Sequence, residues 1–69
     1  MKISARNHFE GKVTEIKKGA VMAQVTIDIG GGHKMMSAIF ADSAGDLGLK
    51  VGDKVSALVK STDVIILKE

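Results

Sequence analysis

Two short stretches, one near each end of the chain, are rich in hydrogen-bond donors. Ser4-Ala5-Arg6-Asn7 combines a hydroxyl, a guanidinium, a carboxamide and several backbone N–H groups. Lys60-Ser61-Thr62 offers an ammonium, two hydroxyls and further N–H groups. Neither stretch contains a carboxylate, so both suit an anion that can only accept hydrogen bonds. A tetrahedral oxyanion is such a ligand, provided that the fold brings the two stretches together within one subunit or across an interface.

The other polar residues form no catalytic set, and we expect a binding protein rather than an enzyme. The two histidines, His8 and His33, have no nucleophile to serve. The chain has no cysteine, which excludes disulfides and thiolate metal sites. Its carboxylates are scattered along the sequence, so a cage for a hard cation is not indicated. We therefore expect no metal centre and no organic cofactor.

The elements that must position these residues are mostly strands. The clearest runs from Val21 to Ile29, where Val21, Ala23, Val25, Ile27 and Ile29 alternate with other residues and predict one buried face. Alternation or apolar content predicts further strands over residues 8–17, 33–40, 54–59 and 64–67, the last wholly apolar and more deeply buried.

Glycines mark the interruptions between and within these strands. Gly11 indicates a bulge or a close backbone approach inside the first strand. Lys17-Lys18-Gly19-Ala20 is predicted as a tight turn with Gly19 available for positive φ. Gly30-Gly31-Gly32 is predicted as a flexible hairpin turn, because no P-loop signature accompanies it.

One short helix is predicted over residues 42–48, between the third and fourth strands. Asp42 or Ser43 is the expected N-cap, with Asp46 completing a weak capping box and Gly48 ending the helix in a left-handed conformation. Five short strands with a helix at this place predict an all-β, five-stranded, OB-like Greek-key barrel. A single domain over residues 1–69 accounts for the whole sequence.

Composition points to a small protein that associates with itself. A chain of 69 residues buries only about 60% of its unfolded surface, yet this one is 45% hydrophobic and 26% charged. Self-association is the expected source of further burial. The net charge of +2 favours anionic ligands but argues only weakly for nucleic acid. With no apolar run of membrane-spanning length and no signal-peptide core, we expect a soluble, cytoplasmic protein.

The two donor-rich stretches and several glycine-containing segments of this sequence resemble those of the molbindins. These are the small molybdenum-binding Mop proteins, which are related to the barrel domains of molybdate transporters and regulators. The resemblance runs from residue 2 to about residue 67. It is carried by Ser4-Ala5-Arg6-Asn7, Gly11-Lys12-Val13, the stretch from Asp42-Ser43 to Leu47-Gly48, Val51-Gly52-Asp53, and Lys60-Ser61-Thr62-Asp63-Val64.

The resemblance implies a homohexamer, a trimer of dimers, that binds molybdate or tungstate where subunits meet. Ser4, Ala5 and Arg6 of one subunit would share an oxyanion with Lys60 and Ser61 of another, and Asn7 and Thr62 flank them. A second class of site is expected near a threefold axis, which we place at the Lys18-Gly19-Ala20 turn. Some relatives carry a hydroxyl residue where Phe40 stands here, so this chain would lack that donor.

The leading hypothesis is therefore intracellular binding and storage or buffering of molybdate or tungstate at subunit interfaces. The alternative is a nucleic-acid-binding module on the same barrel, although Phe9 and Phe40 supply few rings for stacking bases. A third hypothesis is a module that once served a larger transporter or regulator and now acts as a stand-alone oligomer.

Overall fold

The computed structural model describes residues 2–69 as a curled, antiparallel sheet with one short helix. The elements in chain order are β1 (Asn7–Lys18), β2 (Met22–Gly30), β3 (His33–Phe40), α1 (Ala41–Leu47) and β4 (Lys54–Val59), followed by a 3-10 turn (Ser61–Asp63). The strands lie in the order β3-β2-β1-β4. The first four predicted strands are thus confirmed, and the helix lies between β3 and β4 as expected.

The curl of the sheet comes from β1, which is twelve residues long and changes partner along its length. Its first half, Asn7 to Lys12, pairs with β4, and its second half, Lys12 to Lys18, pairs with β2. The register with β2 shifts between Val13 and Glu15, so the irregularity lies just after Gly11 rather than at it. Such a shift bends the strand and increases its twist.

Gly11 serves the second purpose predicted for it, a close backbone approach. A Cβ atom at this position would lie 2.6 Å from the carbonyl oxygen of Asp28 and 2.6 Å from Cγ2 of Ile27. Only glycine allows β1 to cross β2 at this distance.

The core is small and lies on the inner face of the curl. Val13, Val25 and Ile27 are buried there, and six partly buried residues pack against them: Ile16, Ile29, Ile39, Leu49, Val55 and Ala57. Burying one such side chain fully contributes about 1.5–3 kcal/mol, so a core of this size leaves little margin.

The alternation predicted for β2 is correct from Ala23 onward but wrong at its start. Ala23, Val25 and Ile27 are buried, whereas Val21 is 65% exposed because the strand begins one residue later. The backbone carbonyl of Val21 instead accepts a hydrogen bond from Ala41 N–H at 2.7 Å. Thr26, expected on the exposed face, is buried, because β2 is an inner strand and Thr26 lies opposite Glu15 on one side and Met36 on the other.

The helix ends as predicted but starts differently. Gly48 adopts the left-handed conformation, with φ 64°, and Leu49 N–H donates to Ala44 C=O at 3.1 Å. The N-cap is Phe40, without a side-chain cap, so the predicted caps at Asp42 or Ser43 are wrong. The reason is that β3 runs directly into the helix, which places both residues inside its first turn.

The two predicted turns between β1, β2 and β3 have different outcomes. Gly30, Gly31 and Gly32 all have positive φ, which confirms the glycine hairpin. Gly19 does not have positive φ, because its N–H closes the turn on the carbonyl of Met22 at 2.7 Å.

The predicted fifth strand is not formed in this structure. Residues 64–67 carry no strand pairing, and Ile65, Ile66 and Leu67 are 92%, 84% and 85% exposed. The described chain thus contains four strands, and a buried fifth strand at this position is wrong for a single chain. The 3-10 turn at Ser61–Asp63 separates this segment from β4, and no edge of its own sheet receives it.

Candidate anion-binding site

The pairing of β1 with β4 brings the two donor-rich stretches to the same end of the sheet. Asn7 lies opposite Val59 in the ladder, and its side-chain Nδ2 donates to the carbonyl oxygen of Val59 at 3.2 Å. The two residues are 52 positions apart in sequence. Because the two strands are antiparallel, Arg6 just before β1 and Lys60 just after β4 lie at the same end of the sheet. We call this place the junction, comprising residues 4–7 and 60–62.

The junction has donors that the rest of the chain does not use. The backbone N–H groups of Ser4, Ala5, Ser61 and Thr62 donate no hydrogen bond to any residue from position 2 onward. In the 3-10 turn, Asp63 N–H donates to Lys60 C=O at 2.9 Å, so only the first N–H groups of the turn remain free. Successive free N–H groups of this kind can surround an oxyanion.

The junction is open to solvent, and its nearest charges are mixed. Ser4, Arg6, Lys60, Ser61 and Thr62 are exposed, and Ala5 is half-buried. Arg6 and Lys60 supply two cations, while the carboxylate of Asp63 follows directly in sequence. The two cations favour a dianion at the junction. Because the donors are exposed, one side of a dianion bound here would still face solvent.

Asn7, which was predicted to be part of the anion site, also makes a contact within the sheet. One amide hydrogen is engaged with Val59, so the side chain ties β1 to β4. This hydrogen bond fixes the relative position of the two stretches, and it leaves one amide hydrogen for a ligand.

The second predicted site lies at the opposite end of β1. The turn at Lys18, Gly19 and Ala20 is exposed, but the Gly19 N–H is already used by the carbonyl of Met22. Lys18 and Gly19 line an open surface cavity of about 500 Å³ together with Lys17 and residues of β2 and β3. The structure therefore does not bring this turn together with the junction.

Phe40, where the resemblance implies that a hydroxyl donor is missing, also lies away from the junction. It is opposite Met22 in the β2–β3 ladder and is 62% exposed. Within one chain its side chain therefore belongs to the Lys18 end of the molecule.

Sequence reasoning missed a row of lysines on the sheet. Lys54 lies opposite Lys12, Lys12 opposite Asp28, and Asp28 opposite Lys34 across all four strands. The Asp28 carboxylate accepts the Gly30 N–H at 2.8 Å. No pattern in the sequence could reveal this row, because it depends on strand order and register.

Two features that would indicate other functions are absent from residues 2–69. No group of three or more His, Cys, Asp or Glu side chains is placed to hold a metal ion in this part of the chain. No helix between these residues has the length and apolar character that crossing a membrane requires.

Comparison with known proteins connects this geometry to one family. The model of the TOBE domain matches residues 3–66. Molybdenum-pterin-binding protein 3 of Clostridium pasteurianum is 54% identical over 67 residues, which cover 97% of this chain and 98% of that protein.

Solved structures agree with the match in sequence. A molybdate-binding protein from Sporomusa ovata superposes with a TM-score of 0.93 at 51% identity, covering 99% of this chain and 100% of that one. The cytoplasmic molybdate-binding protein ModG, in a form with molybdate bound, superposes with a TM-score of 0.90 at 40% identity. That match covers 94% of this chain and 46% of ModG. The chain therefore belongs to the TOBE domain family.

Proposed function

We propose that this protein binds molybdate and stores or buffers it as the free oxyanion. The observation that carries the proposal is the junction, where the Asn7–Val59 pairing gathers the donors from both ends of the chain. Relatives that match almost the full length are a molybdenum-pterin-binding protein and a molybdate-binding protein, which supports this choice of anion.

Each junction residue has a defined role in this proposal. Ser4 and Ser61 donate through their hydroxyls, while Ala5, Ser61 and Thr62 donate through backbone N–H groups. Arg6 and Lys60 balance the two negative charges. A hydrogen bond to a charged group contributes about 1.5–3 kcal/mol, so a few of these donors suffice for useful affinity.

Tungstate is the second ligand that we propose. Molybdate, tungstate and sulfate are tetrahedral dianions, so a site made only of donors separates them by cavity size and rigidity rather than by charge. Molybdate and tungstate are nearly equal in size, and we expect similar affinities for both. Sulfate is smaller and leaves longer, weaker hydrogen bonds in the same shell.

We further propose that the functional form is a homohexamer, a trimer of dimers, with oxyanions bound where subunits meet. The open side of the junction supports this arrangement, because a second copy can complete the shell. Exposed apolar side chains outside the junction also favour self-association, among them Met22, Met36 and Phe40 on β2 and β3. In this assembly the barrel would gain the fifth strand that the single chain lacks.

A cytoplasmic location is part of the same proposal, since the related ModG is a cytoplasmic molybdate-binding protein.

The nucleic-acid alternative has no support from the relatives. The two aromatic rings that could stack on bases are also poorly placed for it, because Phe9 lies on β1 and Phe40 on β3, with β2 between these strands.

Thermal unfolding in the presence of candidate ligands tests the function. A ligand at one hundred times its Kd stabilises the folded state by about 2.7 kcal/mol. For a domain of this size that raises Tm by roughly 10–20 °C. We expect this rise with molybdate and tungstate, and a smaller one with sulfate at equal ionic strength. A rise with an oligonucleotide, which fades steeply as salt increases, would instead support nucleic-acid binding.

A further inference from the structure

The chain contains one asparagine and one glutamine, and each side chain forms a hydrogen bond across a pair of neighbouring strands. Asn7 Nδ2 donates to the carbonyl oxygen of Val59 at 3.2 Å, between β1 and β4. Gln24 Nε2 donates to the sulfur of Met36 at 3.7 Å, between β2 and β3. The first bond is partly buried and the second is exposed. Of the two, the bond from Asn7 is the one that lies at the junction.

The bond from Asn7 closes the sheet at the point where the two donor-rich stretches separate. Asn7 and Val59 are the outermost pair of the β1–β4 ladder on the side of the junction. In the described chain β4 is an edge strand of six residues that pairs only with β1. The last pair of a short edge ladder is a place where a sheet opens easily. A side-chain hydrogen bond at this pair therefore opposes that opening.

The 3-10 turn beyond β4 depends on this last pair for its position. Asp63 N–H donates to Lys60 C=O at 2.9 Å, and this bond closes within the turn and its cap. Val64 N–H donates to Ser61 C=O at 3.3 Å, which is equally local. These bonds preserve the shape of the turn but do not attach it to the sheet. Opening of the last pair would therefore move the second donor-rich stretch as a unit, away from the stretch that precedes β1.

The separation of the two stretches determines the size of the anion that both can bind at once. A site made only of donors distinguishes tetrahedral dianions by size, and it does so only while its donors are held in place. Stretches at a fixed separation fit the larger molybdate and cannot close around sulfate. Stretches that move can approach each other and form equally short hydrogen bonds with the smaller anion. Rigidity at the last pair thus bears directly on selectivity.

We infer that Asn7 is a positioning residue that sets the selectivity of the junction for molybdate over sulfate. It acts through the carbonyl of Val59, by holding the two donor-rich stretches at a fixed separation. This inference rests on the proposed function, because it concerns which anion the same site prefers. A hydrogen bond from Asn7 to the anion itself would strengthen the binding of both dianions alike, and would leave the ratio of their Kd values unchanged.

Calorimetric titration of Asn7→Leu with molybdate and, separately, with sulfate tests the inference. Leucine keeps the branched shape of asparagine but donates no hydrogen bond. We expect the ratio of the sulfate Kd to the molybdate Kd to fall by about two- to tenfold, which corresponds to the net contribution of one hydrogen bond. Gln24→Met removes the other cross-strand carboxamide and is the matched control, which should keep the wild-type ratio. A wild-type ratio in Asn7→Leu would overturn the inference.

A second variant, Asn7→Asp, removes the same hydrogen bond by different chemistry. Its carboxylate has nearly the shape of the carboxamide but, when ionised, cannot donate to the carbonyl of Val59. The added negative charge weakens the binding of both dianions, and charge alone leaves the ratio of their Kd values unchanged. We expect the ratio to fall as it does in Asn7→Leu, with a cooperative thermal transition retained. A loss of affinity by the same factor for both anions would overturn the positioning role.

Backbone ¹⁵N relaxation of the unliganded protein tests the positioning role without any anion. Rigid amides have order parameters of about 0.85, and flexible amides have values below about 0.6. We expect the Ser61 amide to be rigid in the wild type and in Gln24→Met, and its order parameter to fall in Asn7→Leu. Equal order parameters in the wild type and Asn7→Leu would overturn the inference. A wild-type protein that binds no molybdate would instead overturn the proposed function, even if Ser61 behaves as expected.

Discussion

The two ends of β1 both carry cations and backbone N–H groups, but they differ in how many donors remain free. At the junction the N–H groups of Ala5 and Ser61 are unused within the described chain. At the opposite end the Gly19 N–H already closes a turn on Met22. The difference teaches that the number of donors in a stretch matters less than what the local fold leaves unpaired. It supports our proposal that the junction is the principal anion site and the Lys18 turn a weaker one.

The largest effect is expected from unfolding the sheet, because both ends of β1 then lose their shape together. Val25→Asp places a carboxylate on the buried face of β2, where the native side chain is 3% exposed. The cost of about 4 kcal/mol or more is comparable to the whole stability of a domain of this size, about 0.05–0.15 kcal/mol per residue. Thermal unfolding followed by circular dichroism should show no cooperative transition. Gln24→Asp, on the exposed face next to it, should melt near the wild type; similar melting of both variants would contradict the strand register.

The next largest effect separates the two ends. Arg6→Ala removes one cation from the junction and should weaken molybdate binding by about 1.5–3 kcal/mol, the contribution of a hydrogen bond to a charged group. Isothermal titration calorimetry measures the change. The matched control is Lys34→Ala, which removes one exposed cation from β3, away from both stretches. Equal affinity of Arg6→Ala and wild type would remove Arg6 from the site.

A smaller effect tests the other half of the junction. Ser61→Ala removes a neutral hydroxyl but leaves the backbone N–H in place, so we expect a loss of about 0.5–1.5 kcal/mol in binding free energy. Ser43→Ala in α1 is the matched control and should bind as the wild type does. If Ser61→Ala had no effect while Arg6→Ala did, the second stretch would contribute only through its backbone.

The smallest effect is expected at the other end. Lys18→Ala should leave the affinity of the junction unchanged, because a strand of this length spans roughly 35 Å and salt screens charges beyond about 8 Å. The same calorimetric titration should lose only a weaker second class of sites. A loss as large as that of Arg6→Ala would reverse the ranking of the two ends.

Much of the fold follows from local patterns in the sequence. Alternation located β2, β3 and β4 because each has one face toward the core, and the three glycines located the hairpin because its backbone requires positive φ. The start of α1 was not predictable from capping residues, because β3 continues directly into the helix. The burial of Thr26 depends on strand order, which no local pattern contains.

The candidate site and the C-terminal segment show where sequence reasoning needs tertiary structure. The residue types of Arg6 and Ser61 indicated an anion, but only the Asn7–Val59 register shows that one chain brings the two stretches together. The apolar character of Ile65 and Ile66 indicated burial, yet in a single chain they are exposed. A pattern identifies a buried face without identifying which chain covers it.

Equilibrium dialysis of the purified protein against molybdate in excess sulfate tests the central claim most directly, with molybdenum measured by elemental analysis. We predict that the molybdenum concentration in the protein compartment exceeds that in the outer buffer. The Arg6→Ala variant should retain less molybdenum at the same protein concentration. Equal molybdenum on both sides with the wild-type protein would contradict a selective oxyanion site at the junction.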